Sequence, residues 1–345
     1  MSSILIRGAL LALLAGTACA AETSGTVPVN TIAAAAVRTL TTGVRGPEGP
    51  SELPDGSVAM VEFTAGDIIR VDQKGAKDVL AQPGIGVAGT VMGKDGALYV
   101  AKLNLSNFMR RPEGESAPGG SPPPAGAAPP PAGGGAPASS RDSSPSAIVR
   151  IDLATKQSRV LYSTYEGKEL GGPNDLVSDQ WGDLWFSDPT TSSVFNARID
   201  GTKLQRVISD AKGVNGITLS PDRKTLYVMN GPNLVSYAIS ARGTLRSVDG
   251  KPQATVVAAW PTGTHEPDGL KTEANGNIVA ACWEDGILVF SPQGKLLSRT
   301  LVQDLSVINV AFGGKDLKTL YLAGHPANVM VGSLAAIAWP RAGLR

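Results

Sequence analysis

Five short segments of the sequence place an oxygen-bearing side chain in one recurring slot. They are "PEGP" with Glu48, "PNDL" with Asn174, "VNGI" with Asn215, "PDGL" with Asp268 and "INVA" with Asn309. A sixth segment, "VAGT", carries Ala88 in the same slot. Two of the five are carboxylates and three are carboxamides. Oxygen donors of this kind suit a hard divalent cation: Ca2+ accepts carboxylate and amide oxygens at about 2.3–2.6 Å. Mg2+ or Mn2+ take the same donors, whereas Zn2+ is less suited without His or Cys, and neither His265 nor His325 stands in a zinc-binding spacing. Asn and Asp ahead of Gly or Leu also cap turns. Repetition of the slot argues for a shared role. Asn309, with no charged companion in "INVAFGG", is the member closest to a turn role alone.

A repeated slot needs a repeated element to position it. Each segment runs through a turn into an apolar stretch: "VAMVE", "ALYVAK", "LWFSD", "LYVMN", "IVAAC" and "LYLAG". A third stretch commonly follows, such as "IIRVD", "AIVRID", "LVSYAIS" or "ILVFS". Alternation, β-branched content and Asp-Gly or Asn-Gly turns predict strands joined as hairpins. The slots step by 40, 86, 41, 53 and 41 residues. The step of 86 contains residues 104–147, rich in Pro, Gly, Ala and Ser, which read as a disordered surface insertion in the second unit. Without it that step falls to about 42, and the step of 53 has room for a longer outer connection around "RGTLRSVDGKPQATV". A period near 40 with three or four strands per unit predicts an all-β, six-bladed β-propeller over residues 36–340. The last unit is short of an outer strand. "AVRTLTTG", residues 36–43, supplies it and closes the ring, which removes exposed sheet edges.

The first strand of a propeller blade lines the central channel, so the slot residues are expected as a ring at one mouth. A second column, counted to the end of each return strand, comprises Glu62, Lys102, Asp188, Asn230, Cys282 and Gly324. It is expected at the same mouth, with Asp188 meeting Asn174 and contacting substrate. His325 follows the last return strand and is expected there too, as a substrate contact. His265, beside Glu266 and Asp268, is expected to shape the rim.

The remaining composition narrows the function classes. Acidic and basic residues nearly cancel, for a net charge of +1, which argues against nucleic acid or an anionic membrane as partner. At the N-terminus, Arg7, the apolar run Gly8–Leu14 and Ala18-Cys19-Ala20 read as a signal peptide over residues 1–20, with residues 21–35 a linker. The expectation is an exported protein, periplasmic or secreted. A lipoprotein anchored at Cys19 is the weaker reading, because Gly16-Thr17-Ala18 lacks the Leu expected there. No other stretch is apolar for long enough to span a membrane. With Cys19 removed, Cys282 has no disulfide partner and reads as a small core residue. No obligate protein partner is evident.

"PEGP" (Pro47–Pro50), "GPNDLV" (Gly172–Val177), "NGITLSPD" (Asn215–Asp222) and "PDGL" (Pro267–Leu270) occur in order at blade spacing. Together they resemble the family of senescence marker protein, gluconolactonase and luciferin-regenerating enzyme. The resemblance implies a six-bladed propeller around one divalent metal, with Ca2+ first among Ca2+, Mn2+, Mg2+ and Zn2+. It implies Glu48, Asn215 and Asp268 as ligands, Asp268 also as general base, and Asn174 as a contact to substrate or metal-bound water. The implied activity is metal-dependent opening of a sugar lactone or similar cyclic ester. Some sugar-lactone hydrolases of the family carry Arg where this chain has Gly172, a departure that weakens the case for a sugar lactone. A non-catalytic ligand- or protein-binding propeller and a phosphotriesterase-like hydrolase are the alternatives, since fold alone does not select among them.

Overall fold

Residues 27–105, 144–327 and 329–344 are described by a computed structural model. The expected signal peptide and nearly all of the Pro/Gly-rich insertion lie outside the described residues. Among the described residues no helix is long and apolar enough to cross a membrane.

The alternating segments form six antiparallel sheets, each running outward from a central axis. From inner to outer strand, blade one is Pro47–Glu52, Val58–Glu62, Asp67–Val71 and Lys77–Ala81. Blade two is Val87–Met92, Leu98–Lys102, Ala147–Ile151 and Ser158–Tyr162. Blade three is Leu176–Ser178, Leu184–Asp188, Ser193–Ala197 and Leu204–Ile208. Blade four is Ile217–Leu219, Thr225–Asn230, Asn233–Ala241 and Ala254–Ala259, the last two joined by a longer excursion that fills the step of 53. Blade five is Leu270–Thr272, Ile278–Ala281, Ile287–Phe290 and Leu296–Val302. Blade six is Ser306–Gly313, Thr319–His325, Val331–Ala338 and, from the other end of the chain, Arg38–Arg45.

That last pairing closes the ring as expected. Leu40 and Val44 of the closing strand join Val58, Met60, Tyr321 and Leu334 in the seam between blades six and one. An apolar cluster fills every other seam as well, so each blade packs both faces against its neighbours. The second strands are therefore buried along most of their length; every residue of Val58–Glu62 and Leu184–Asp188 is buried. One strand was not foreseen. Val29–Ile32, in the stretch expected as linker, pairs in parallel with Leu296–Val302 and covers the outer edge of blade five.

The glycine after the slot residue has a steric reason. A Cβ on Gly49 would lie 2.4 Å from the Ala88 carbonyl oxygen, and one on Gly89 would lie 2.7 Å from that of Asn174. One on Gly216 would lie 2.4 Å from the Asp268 carbonyl oxygen, and one on Gly269 would lie 2.1 Å from Asn309 Oδ1. Four of the six inner strands thus touch the next blade's slot residue at a separation that only glycine allows. The motif Glu/Ala/Asn/Asp-Gly is the contact that draws the ring tight.

The insertion leaves from the mouth end of blade two, where Lys102 pairs with Ala147. Its two ends are clamped: Asn104 N–H donates to Ser146 Oγ (2.8 Å), and Ser146 Oγ–H donates to the Gly171 carbonyl (2.9 Å). At the opposite end of the channel, the C-terminal Leu344 N–H donates to the Thr272 carbonyl (3.0 Å) and lines a cavity of about 120 Å³.

Candidate active site at the channel mouth

Where the inner strands begin, a cavity of about 130 Å³ opens at the mouth. Glu48, Ala88, Asn174, Asn215 and Asp268 line it together with His325, so five of the six slot residues and one of the two histidines meet there. Asn309 lies just behind: its Nδ2 donates to Glu48 Oε1 (2.9 Å), while its Oδ1 accepts the Val310 N–H (2.8 Å). Asn215 Nδ2 donates to Asp268 Oδ1 (2.8 Å). Each carboxylate is thus held by one carboxamide, which fixes its orientation.

These bonds leave two oxygens exposed to no donor. Glu48 Oε2 and Asn215 Oδ1 are buried without a hydrogen-bond partner. Buried acceptors without partners are costly and rare. Burial drives the Glu48 carboxyl up to about 7, with the Asp175 charge adding to the effect and the Asn309 bond opposing it. Burial also drives Asp268 well above the usual carboxylate range, with the Glu48 charge pushing the same way. Glu48, Asn215 and Asp268 line one cavity, and carboxylate and amide oxygens are donors that suit a hard cation, which would partner the two orphaned oxygens. Among the described residues no three His, Cys, Asp or Glu side chains are placed to hold a metal. The third oxygen of this set belongs to an amide.

Asp175 was not anticipated. It occupies the position after the slot that is glycine in four other blades. Its Oδ1 accepts the Leu176 N–H (2.9 Å) and its Oδ2 the Ile217 N–H (3.3 Å), so one carboxylate ties blades three and four beneath the ring. Burial raises its carboxyl; Lys271 and backbone donors pull it back. An Asp standing where the repeat has glycine was the available signal.

The second column does not reach the cavity. Asp188 is fully buried, and its carboxylate accepts backbone N–H groups from Gly171 (2.9 Å), Gly172 (2.9 Å) and Thr191 (3.1 Å). It anchors the loop that carries Asn174 and is not free to meet a substrate. Glu62 is occupied by Arg45, Lys102 by Ser144, and Cys282 packs in the seam of blades four and five. The residues that line the cavity come one position later: Phe63, Leu103, Trp283 and His325. Strand side chains alternate faces, so a count one residue short selects the wrong face.

His325 is buried. Its Nδ1 stands 2.9 Å from the Pro326 carbonyl, which only accepts, so Nδ1 carries the proton. Nε2 is left as a buried acceptor without a partner. The Trp283 ring meets it edge to face at 5.8 Å, and Trp283 Nε1 is likewise a buried donor without a partner. Trp283 has a left-handed backbone (φ +52°), held by two backbone bonds with Val307. A non-glycine residue rarely takes that conformation, and such residues concentrate at functional sites. His265 does not line the cavity; its Nδ1 is bonded to Asp285 (2.7 Å).

The match to known proteins agrees with the propeller fold. A gluconolactonase of Zymomonas mobilis is 30% identical over 208 residues, covering 53% of this chain and 57% of the relative, so the match spans little more than half of that relative's length. A gluconolactonase structure from Xanthomonas campestris superposes with a TM-score of 0.65 at 23% identity, over 91% of this chain and 95% of that one. A calcium-binding regucalcin from Agrobacterium tumefaciens superposes with a TM-score of 0.66 at 18% identity, over 92% and 97%. With residues 46–325 matched by its sequence profile, this chain belongs to the SMP-30/gluconolactonase/LRE-like family.

Proposed function

We propose that the protein is a hydrolase that opens lactones at the channel mouth, with a divalent cation held by Glu48, Asn215 and Asp268. Ca2+ fits this all-oxygen set best, with Mn2+, Mg2+ and Zn2+ as alternatives. The observation that carries the reading is the pair of buried, donorless oxygens, Glu48 Oε2 and Asn215 Oδ1, beside Asp268 in an open cavity. Relatives named gluconolactonase and 6-deoxy-6-sulfogluconolactonase support lactone chemistry, and the calcium-binding fold neighbour supports the cation.

When bound, the cation supplies positive charge where the carbonyl oxygen becomes negative. The other roles belong to the chain. Asp268, held at Oδ1 by Asn215, takes a proton from water as the water oxygen attacks the carbonyl carbon. The ring carbon–oxygen bond breaks, and the proton passes from Asp268 to the leaving alkoxide, giving a hydroxy acid. Asn174 offers its amide to the substrate. His325 Nε2 offers an acceptor on the opposite wall.

The test is a pH-stat assay on aldono-, γ- and δ-lactones, with and without chelator, alongside a phosphotriester. Acid release that chelation abolishes and Ca2+ restores is the expected result. Turnover of the phosphotriester alone would reassign the chemistry to phosphorus, and cation binding without turnover of either would make the mouth a binding site.

A further inference from the structure

We infer that the substrate of this mouth carries an apolar arm, alkyl or aryl, in place of a ring of hydroxyl groups; the inference rests on the hydrolase reading above. Three observations lead there.

The first is the wall. Beside its polar residues, the cavity is lined by Phe63, Leu103, Trp283, Ile308 and Met330, drawn from blades one, two, five and six. Phe63 and Trp283 are half-buried and Met330 is 55% exposed, so apolar surface faces water at the entrance. A substrate arm that covers this surface gains about fourfold in binding per buried methylene.

The second is Gly172. It stands two residues before Asn174 and brings no side chain to the mouth. A Cβ here would lie 2.5 Å from Thr190 Oγ1, and the backbone is clasped by Asp188. A side chain at this position therefore requires Thr190 to move. None of the described residues lining the cavity is Lys or Arg.

The third is the count of polar groups left for a substrate. Glu48, Asn215 and Asp268 are committed to one another, to Asn309 and to the proposed cation. That leaves Asn174, the Trp283 Nε1 donor and the His325 Nε2 acceptor. One ester group and the attacking water suffice for these: the ester oxygens can accept from Asn174 and Trp283, and the water can donate to His325 Nε2. A polyhydroxylated ring would press several hydroxyls against hydrocarbon, each unpaired one costing about tenfold or more.

The experiment uses the full chain with Ca2+. Values of kcat/KM are measured for δ-lactones with arms from methyl to hexyl, for an aryl lactone, and for glucono-1,5-lactone. The expected result is a rise of about fourfold per methylene over the first several, with gluconolactone at least 10²-fold below the best. Met330→Ser, at an exposed position that folding tolerates, should flatten the rise. In parallel, binding of an alkyl lactam and of a polyhydroxylated lactam, neither of which hydrolyses readily, is measured by calorimetry. Preference for gluconolactone overturns the inference and leaves the hydrolase reading standing. Binding of the alkyl lactam with no lactone turned over overturns the hydrolase reading and keeps the apolar site. A chain-length series that is flat, or equal affinity for the two lactams, overturns the inference.

Discussion

Stripping the protein of cations should make its stability fall with rising pH. In the folded chain the Glu48 carboxyl is raised from 4.5 to about 7, chiefly by burial. The folded state therefore holds this proton more tightly than the unfolded state does. The contribution is fully present below about pH 4.5 and is lost as pH rises through about 7. At about 1.4 kcal/mol per pH unit, the loss from Glu48 alone is about 3 kcal/mol, roughly 5 °C in Tm for a domain of this size. Asp268 and Asp175 are raised in the same direction and deepen the loss. Added Ca2+ replaces the proton as partner of these oxygens and should remove most of the dependence. Glu48→Gln keeps the acceptor for Asn309 and abolishes the charge, so the metal-free variant should be more stable than the parent at pH 8 and close to it at pH 5. Thermal melts in chelator from pH 5 to 8, with and without excess Ca2+, measure all of this. A metal-free parent whose Tm is flat or rises over that range would refute the electrostatic reasoning about the ring.

Three substitutions separate chemistry from scaffolding. Asp268→Asn should lower kcat by about 10²–10⁴ with the fold intact by circular dichroism, the range expected for a lost general base. Asp188→Ala frees three buried backbone donors and should cost about 2–4 kcal/mol in denaturant unfolding, the loss appearing in stability before it appears in kcat. Gly269→Ala drives a Cβ to 2.1 Å from Asn309 Oδ1. It should displace the amide that holds Glu48 and weaken Ca2+ binding at least tenfold by calorimetry.

Much of this architecture was legible because the repeat is enforced by sterics. The slot residue and its glycine recur because the inner strands nearly touch around the axis, so the ring of Glu48, Ala88, Asn174, Asn215, Asp268 and Asn309 could be read by spacing alone. The closing strand was legible as a missing fourth strand at one end of the chain and a spare strand at the other. The return strand was harder. Asp188 carries a carboxylate and stands at the strand end, yet its side chain points to the Gly171–Gly172 backbone. Alternation gives the cavity to the next residue in blades one, two, five and six, where the apolar Phe63, Leu103 and Trp283 did not look like site residues. Asp175 was hidden by its neighbour Asn174, which filled the slot. Val29–Ile32 is four residues with no partner nearby in sequence, and only the edge of blade five makes it a strand.

The most direct test of the central claim couples binding to rate on one sample. Metal-free protein is titrated with Ca2+ while heat and lactone turnover are followed together, for the parent and for Glu48→Gln. The expected result is one Ca2+ per chain, with turnover rising at the same midpoint as binding and both midpoints moving together in the variant. Turnover that is complete before any Ca2+ is added, or a binding midpoint that Glu48→Gln leaves unmoved, would contradict a cation held at this ring as part of the catalyst.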